Sequence, residues 1–185
     1  RGRALATYRM STPQAVVGET RSATRGIRPV ATVSSTAVKI TGGGTFRNTN
    51  GSTYSNLDIA SGTALDIDNN TTATFSGTLN NAGRIDLNSA GNATNFIAAS
   101  SGLTLAGSGS IHISGHSNNR IYGQNSSTTL TQNSGHTIRG SGQLGVNQLL
   151  LQNSGTIEAD EAAGLTIDLA STFTNQGNLK ATATG

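Results

Sequence analysis

Along most of the chain, apolar residues alternate with polar ones at a period of two, as in Leu57-x-Ile59, Leu65-x-Ile67, Ile85-x-Leu87, Leu103-x-Leu105, Ile111-x-Ile113, Leu149-x-Leu151 and Leu165-x-Ile167-x-Leu169. A period of two puts every second side chain on one face of an extended strand. The runs are short and are separated by Asn, Gly and Ser clusters, the residues that most readily turn a chain. No stretch shows a helical stripe. The pattern predicts an all-β protein made of many short strands joined by turns.

A longer frame recurs within this pattern: apolar, x, Asn or Gly, x, Gly, x, Ile or Leu, x, and a last apolar residue. Five segments fit it. They are centred on Gly83 (Leu79 to Leu87), Gly109 (Leu105 to Ile113), Gly142 (Ile138 to Val146), Gly155 (Leu151 to Ala159) and Gly177 (Phe173 to Ala181), and a partial sixth starts at Phe46. Strand, corner and second strand is the natural reading, with those five glycines as corners and Gly83, Gly109 and Gly155 expected at positive φ. Ile85, Ile111, Leu144, Ile157 and Leu179 then stack inside, and Arg84, Ser110, Gln143, Thr156 and Asn178 face out. Such repetition marks a solenoid, in which each coil buries its apolar side against its neighbours. The intervals between the frame glycines are unequal, and the shortest runs from Gly142 to Gly155. That interval cannot hold a three-sided coil, so some frames must sit on different sides. About six coils are expected, a rod of roughly 29 Å at about 4.8 Å per coil.

The frames Asn153-Ser154-Gly155-Thr156-Ile157-Glu158-Ala159 and Phe173-Thr174-Asn175-Gln176-Gly177-Asn178-Leu179-Lys180-Ala181 resemble the repeats of filamentous-haemagglutinin-type and autotransporter-type bacterial surface proteins. The resemblance covers residues 46–185. It implies a right-handed parallel β-helix, secretion, and an adhesive or structural role at a cell surface. The same coil serves lyases and phage spikes, which leaves a β-helical carbohydrate-active enzyme or tailspike as the alternative. A β-sandwich completed by a donated strand is the alternative fold.

Composition narrows the chemistry. Thr, Ser, Asn and Gly supply 27, 21, 18 and 24 of the 185 residues, against 37 Leu, Ile, Val and Phe together, so the core is thin. With no Cys there is no disulfide, thiol nucleophile or Cys-ligated zinc, and no apolar run is long enough to span a membrane as a helix. Asp58, Asp66, Asp68, Asp86 and Asp168 alternate with apolar residues and so point outward. Asp66 and Asp68 are the strongest candidates for an acid/base pair or a calcium ladder, although solvated strand faces are the plainer explanation. His112 and His116 lack both a helical context and the Glu of a metalloprotease motif. No catalytic residue, metal or cofactor is assigned. Four Phe and three Tyr with no Trp leave few stacking platforms for sugars or nucleic-acid bases. The threonines do not recur at one frame position, which argues against an ice-ordering array.

Charge divides the chain. Residues 1–47 carry a net +7 and residues 48–185 a net −4. Both prolines and five of six valines also precede residue 40, and Gly42-Gly43-Gly44 marks the junction. We therefore read residues 1–45 as a basic arm and linker and residues 46–185 as the solenoid. The arm carries no helical basic stripe or interleaved aromatics, so nucleic acid is not the expected partner. A copy of the same chain is, with a host or matrix surface as a further one: Arg21, Arg25, Arg28, Val33 and Val38 would dock on Glu158, Asp160 and Glu161 of a neighbour, building a filament or closed oligomer.

Overall fold

The computed structural model describes residues 37–171 and 173–182. Among them there is no helix. The strands are β1 (Val38–Ile40), β2 (Thr45–Asn48), β3 (Ser52–Ile59), β4 (Ala64–Asp68), β5 (Thr72–Asn81), β6 (Arg84–Asn88), β7 (Thr94–Ala106), β8 (Ser110–Ile113) and β9 (Asn119–Gly123). They continue with β10 (Thr129–Gln132), β11 (Thr137–Gly140), β12 (Gly142–Gly145), β13 (Leu150–Asn153), β14 (Thr156–Ala159), β15 (Leu165–Ile167), β16 (Thr174–Asn175) and β17 (Asn178–Ala181).

Every strand pairs in parallel with one a full coil away, giving a β-solenoid of about six turns. One face, face A, is the seven-stranded sheet β2-β4-β6-β8-β11-β14-β17. The ten-stranded sheet supplies the other two, because β3, β5 and β7 are long enough to run around a bend. Their first halves continue into β9, β12 and β15 as face B; their second halves lie between β1 and β10-β13-β16 as face C. The bend is a register shift at Asn56 and Gly77, both at positive φ (50° and 71°). β1 pairs with β3, so Val38 and the Gly42–Gly44 corner belong to the first coil, and Val38 packs against the core of its own chain.

On face A the in-register residues Thr45, Ala64, Arg84, Ser110, Thr137, Thr156 and Asn178 mark successive coils of unequal length, the longest running from Ser110 to Thr137. The extra length of the third and fourth coils lies partly in the corners 89–93 and 114–118, outside the strands. Inside, the alternation works as the pattern predicts. Phe46, Leu65, Ile85, Ile111, Ile138, Ile157 and Leu179 stack in one file. Ile85, Ile111 and Ile157 are buried, whereas Leu179, in the last described coil, is 51% exposed. Contrary to expectation, Leu144 is buried in a different file, with Ile121 and Ile167 on face B, and Ile138 stands on face A in the place expected of Leu144. Tyr54, Phe75 and Phe96 stack along the core at centroid distances of 5.2 and 4.2 Å.

The corner glycines behave differently from expectation. Gly83, Gly109, Gly155 and Gly177 are not at positive φ; Gly142 is, at 134°. The first four share one corner, between faces C and A, and there the constraint is space. A Cβ on each would strike a carbonyl oxygen of the coil below, from Thr63, Gly83, His136 and Gly155 respectively. The Asn two residues earlier fixes the bend, as its side-chain oxygen accepts from the glycine N–H in Asn81/Gly83 (3.0 Å), Asn153/Gly155 (3.0 Å) and Asn175/Gly177 (3.3 Å). Gly142 begins β12 at the corner between faces A and B, which accounts for the short interval that separates it from Gly155. The last position of its frame, Val146, is not in a strand at all but in a turn at φ 50°.

Candidate functional site

Parallel register turns single residues into outward files. The central file of face A reads Arg47, Asp66, Asp86, His112, Arg139, Glu158 and Lys180, one per coil. Every member is ionisable, on a molecule whose surface is otherwise mostly Thr, Ser and Asn. Among the described residues, the ionisable side chains are therefore most densely aligned on this strip.

Asp86 is its centre. It is 5% exposed; Arg84 Nε donates to its Oδ2 (2.7 Å), and His112 Nδ1 lies 3.3 Å from Oδ1. Burial works to raise its pKa, but the hydrogen bonds and charges of His112 and Arg84 outweigh burial and hold it below the usual carboxylate range. Asp66, on the adjacent coil, goes the other way, pushed up to about 6 by burial and by the charge and hydrogen bond of Asp86. The charge of the ionised Asp86 makes the second ionisation harder, so Asp66 keeps its proton to a higher pH than a free carboxyl does. His112 is raised, first by its hydrogen bond to Asp86, while burial and Arg139 oppose; Glu161 adds to the rise from the other side, with Oε1 3.5 Å from Nε2. Arg47 bridges to Asp68 (2.9 Å) and Arg139 to Asp160 (2.8 Å).

The strip takes up most of the acidic residues singled out in the sequence. Asp66 and Asp68 share the strand next to that of Asp86, yet Asp66 is coupled to Asp86 and Asp68 to Arg47. Among the described residues no group of three or more acidic or histidine side chains is arranged to hold a metal ion. His116 sits apart from His112, its Nδ1 accepting from the Asn118 amide (3.1 Å). Of the residues assigned to subunit contact, Arg21, Arg25, Arg28 and Val33 lie outside the described residues. Within the chain, Asp160 and Glu161 already hold Arg139 and His112, and Glu158 accepts from Thr182 Oγ1 (3.0 Å).

A search of family models, of curated proteins and of solved structures finds no match to this chain. What it can do rests on its own geometry. Besides the strip, face C carries an open depression of about 390 Å3 between Gly77, Gly102, Thr104 and Thr131. Through it runs a threonine file that sequence reasoning missed, Thr78, Thr104, Thr131 and Thr174, interrupted by Gln152. The threonines do recur at one position, contrary to expectation, because unequal coil lengths hide the register. The file two residues earlier holds Thr129 and Leu150 side by side, so no second threonine file completes a flat array.

The polar side chains buried in the rod include one imidazole. His136 occupies the position that Gly109 and Gly155 fill in adjacent coils, and it is fully buried. Its Nε2 accepts from Asn81 Nδ2 (3.2 Å), two coils away, across the coil of Gly107 and Gly109. The proton is then on Nδ1, which has no partner among the described residues. Burial lowers its pKa to about 4.

Proposed function

We propose that the chain is a non-enzymatic structural or adhesive β-solenoid of a bacterial surface, of the filamentous-haemagglutinin or autotransporter kind, that associates with copies of itself. The observation that carries this reading is the pairing of continuous parallel ladders with short corners. The faces are regular arrays of side chains set one per coil, and no corner among the described residues is long enough to wall a cleft around a small substrate, as enclosing pockets require. A rod of this build presents surface and spans distance. Self-association draws on the +7 charge of residues 1–47 against the −4 of the remainder.

Sedimentation velocity over a concentration series at low and high salt tests the association, with surface labelling of intact source cells as the companion measurement. The reading expects oligomers that weaken with salt and with deletion of residues 1–36, and labelled cell surfaces. A monomer under all conditions removes the self-association; unlabelled cells remove the surface role.

A second reading, polysaccharide cleavage, is favoured by one observation, the adjacent Asp66 and Asp86 carboxyls of opposed pKa on an open face, since such a pair supplies both an acid and a base. Turnover of an acidic polysaccharide that disappears in both Asp66→Asn and Asp86→Asn would put this reading in place of the first.

A further inference from the structure

After β14 the chain does not pass directly to face B. Residues 160–164 arch back along the rod, and Asp160 reaches Arg139 on β11 while Glu161 reaches His112 on β8, two coils before its own. The turn is closed by the Gly164 amide donating to Glu161 O (2.9 Å), and Gly164 O in turn accepts from the Gly142 amide (3.1 Å) at the start of β12. Three coils are thus clasped by one turn, and His112 is where the clasp meets the strip.

His112 stands between two carboxylates, Asp86 at Nδ1 and Glu161 at Nε2. Only the doubly protonated imidazole can donate to both; the neutral ring has one N–H and turns a lone pair toward the other carboxylate. We propose that the turn of residues 160–164 is a pH-gated latch, closed onto His112 while the imidazole carries two protons and released from it when one is lost. The remaining proton stays with Asp86, which is almost wholly buried and already bonded to Arg84, while Glu161 is 39% exposed in its side chain and loses least by returning to water. The other groups facing the site fit this order. From β6, Arg84 keeps Asp86 ionised; from β11, Arg139 repels the imidazolium but is engaged by Asp160; Asp66 on β4 lies beyond Asp86, and Glu158 on β14 lies beyond Arg139. As pH rises through the His112 titration the clasp loses one of its two side-chain contacts, and Glu161 becomes a free surface carboxylate.

The latch belongs to the chain whether the rod is adhesive or catalytic, and its test leaves both aside. Amide hydrogen exchange at residues 160–164 of the full chain, corrected for the intrinsic pH dependence of exchange, is measured across the His112 titration followed by NMR of the imidazole. Protection of the Gly164 amide is expected to fall roughly twofold to fivefold as His112 deprotonates, the range for a half-exposed ion pair. The fall should vanish in His112→Gln and in Glu161→Gln, and persist in His116→Gln, which controls for the other imidazole of that corner. Constant protection in the unaltered chain, an unchanged fall in either latch variant, or its loss in His116→Gln would each overturn the proposal. The Glu161 change is at the surface, so it decides the matter even if the His112 variant fails to fold.

Discussion

Gly155 and Val146 are opposite cases of backbone constraint. At Gly155 φ is ordinary but the coil below leaves no space, so Gly155→Ala must push against the His136 carbonyl, and a loss of about 1 to 3 kcal/mol in denaturant unfolding is expected, as for overpacking. Val146 meets its limit in the backbone itself, a β-branched residue at φ 50°. Val146→Asn should raise stability by about 1 kcal/mol, since Asn tolerates the left-handed region that valine enters at a cost. His136 makes the rod acid-sensitive. Its pKa falls from 6.5 in the open chain to about 4 in the fold, so the unfolded state takes up the proton first. The stability that neutral His136 confers is complete above pH 6.5 and is lost as pH falls to about 4, with a total of roughly 3 kcal/mol. In His136→Asn, chemical denaturation measured from pH 7 to 4 should show this slope flattened.

A strand of this rod is worth what its inward residues bury against the coils on either side. Ile157 has Ile138 below and Leu179 above, so Ile157→Ala should cost roughly 2 to 5 kcal/mol in equilibrium unfolding, whereas Thr156→Ala, at the neighbouring outward position, should stay within about 0.5 kcal/mol. This in/out register was legible in the sequence because period two survives in nearly every strand. The Asn-x-Gly corner was legible too, and the short interval before Gly155 showed that some frames lie on different sides, although it did not show that the Gly142 frame was the one displaced and Leu144 was expected in the wrong file. Which physical limit each glycine meets was not legible, since close approach depends on the coil below and leaves no mark in the residue itself. The outward files were hidden for a related reason. His112 and Glu161 are distant in the chain and meet through an arch that no periodicity records, and the threonine file emerges only once coils of unequal length are aligned by their pairing.

At the scale of the whole rod, a single continuous core serves about six coils that contact chiefly their neighbours, while one outward file of face A is ionisable in every coil. Cohesion is therefore nearly uniform along the axis except where cross-coil side-chain contacts add to it. Two of these contacts reach past a neighbouring coil, Asn81–His136 inside the rod and His112–Glu161 outside it. The described residues hold no helix long and apolar enough to cross a membrane. Faces A and C differ in kind, one ionic and one built of hydroxyls, so a partner that lies along the rod meets different chemistry according to the side it approaches.

The inequality of the coils has a mechanical meaning. If the rod is held at its two ends and drawn out, it yields by peeling one coil at a time, and each coil released lengthens the tether by its own length of chain. At about 3.4 Å per extended residue, the coil from Thr45 to Ala64 gives a step of roughly 65 Å and the coil from Ser110 to Thr137 one of roughly 92 Å. Single-molecule extension should thus record uneven increments rather than a regular ladder, and the order in which long and short ones appear would tell from which end the rod comes apart.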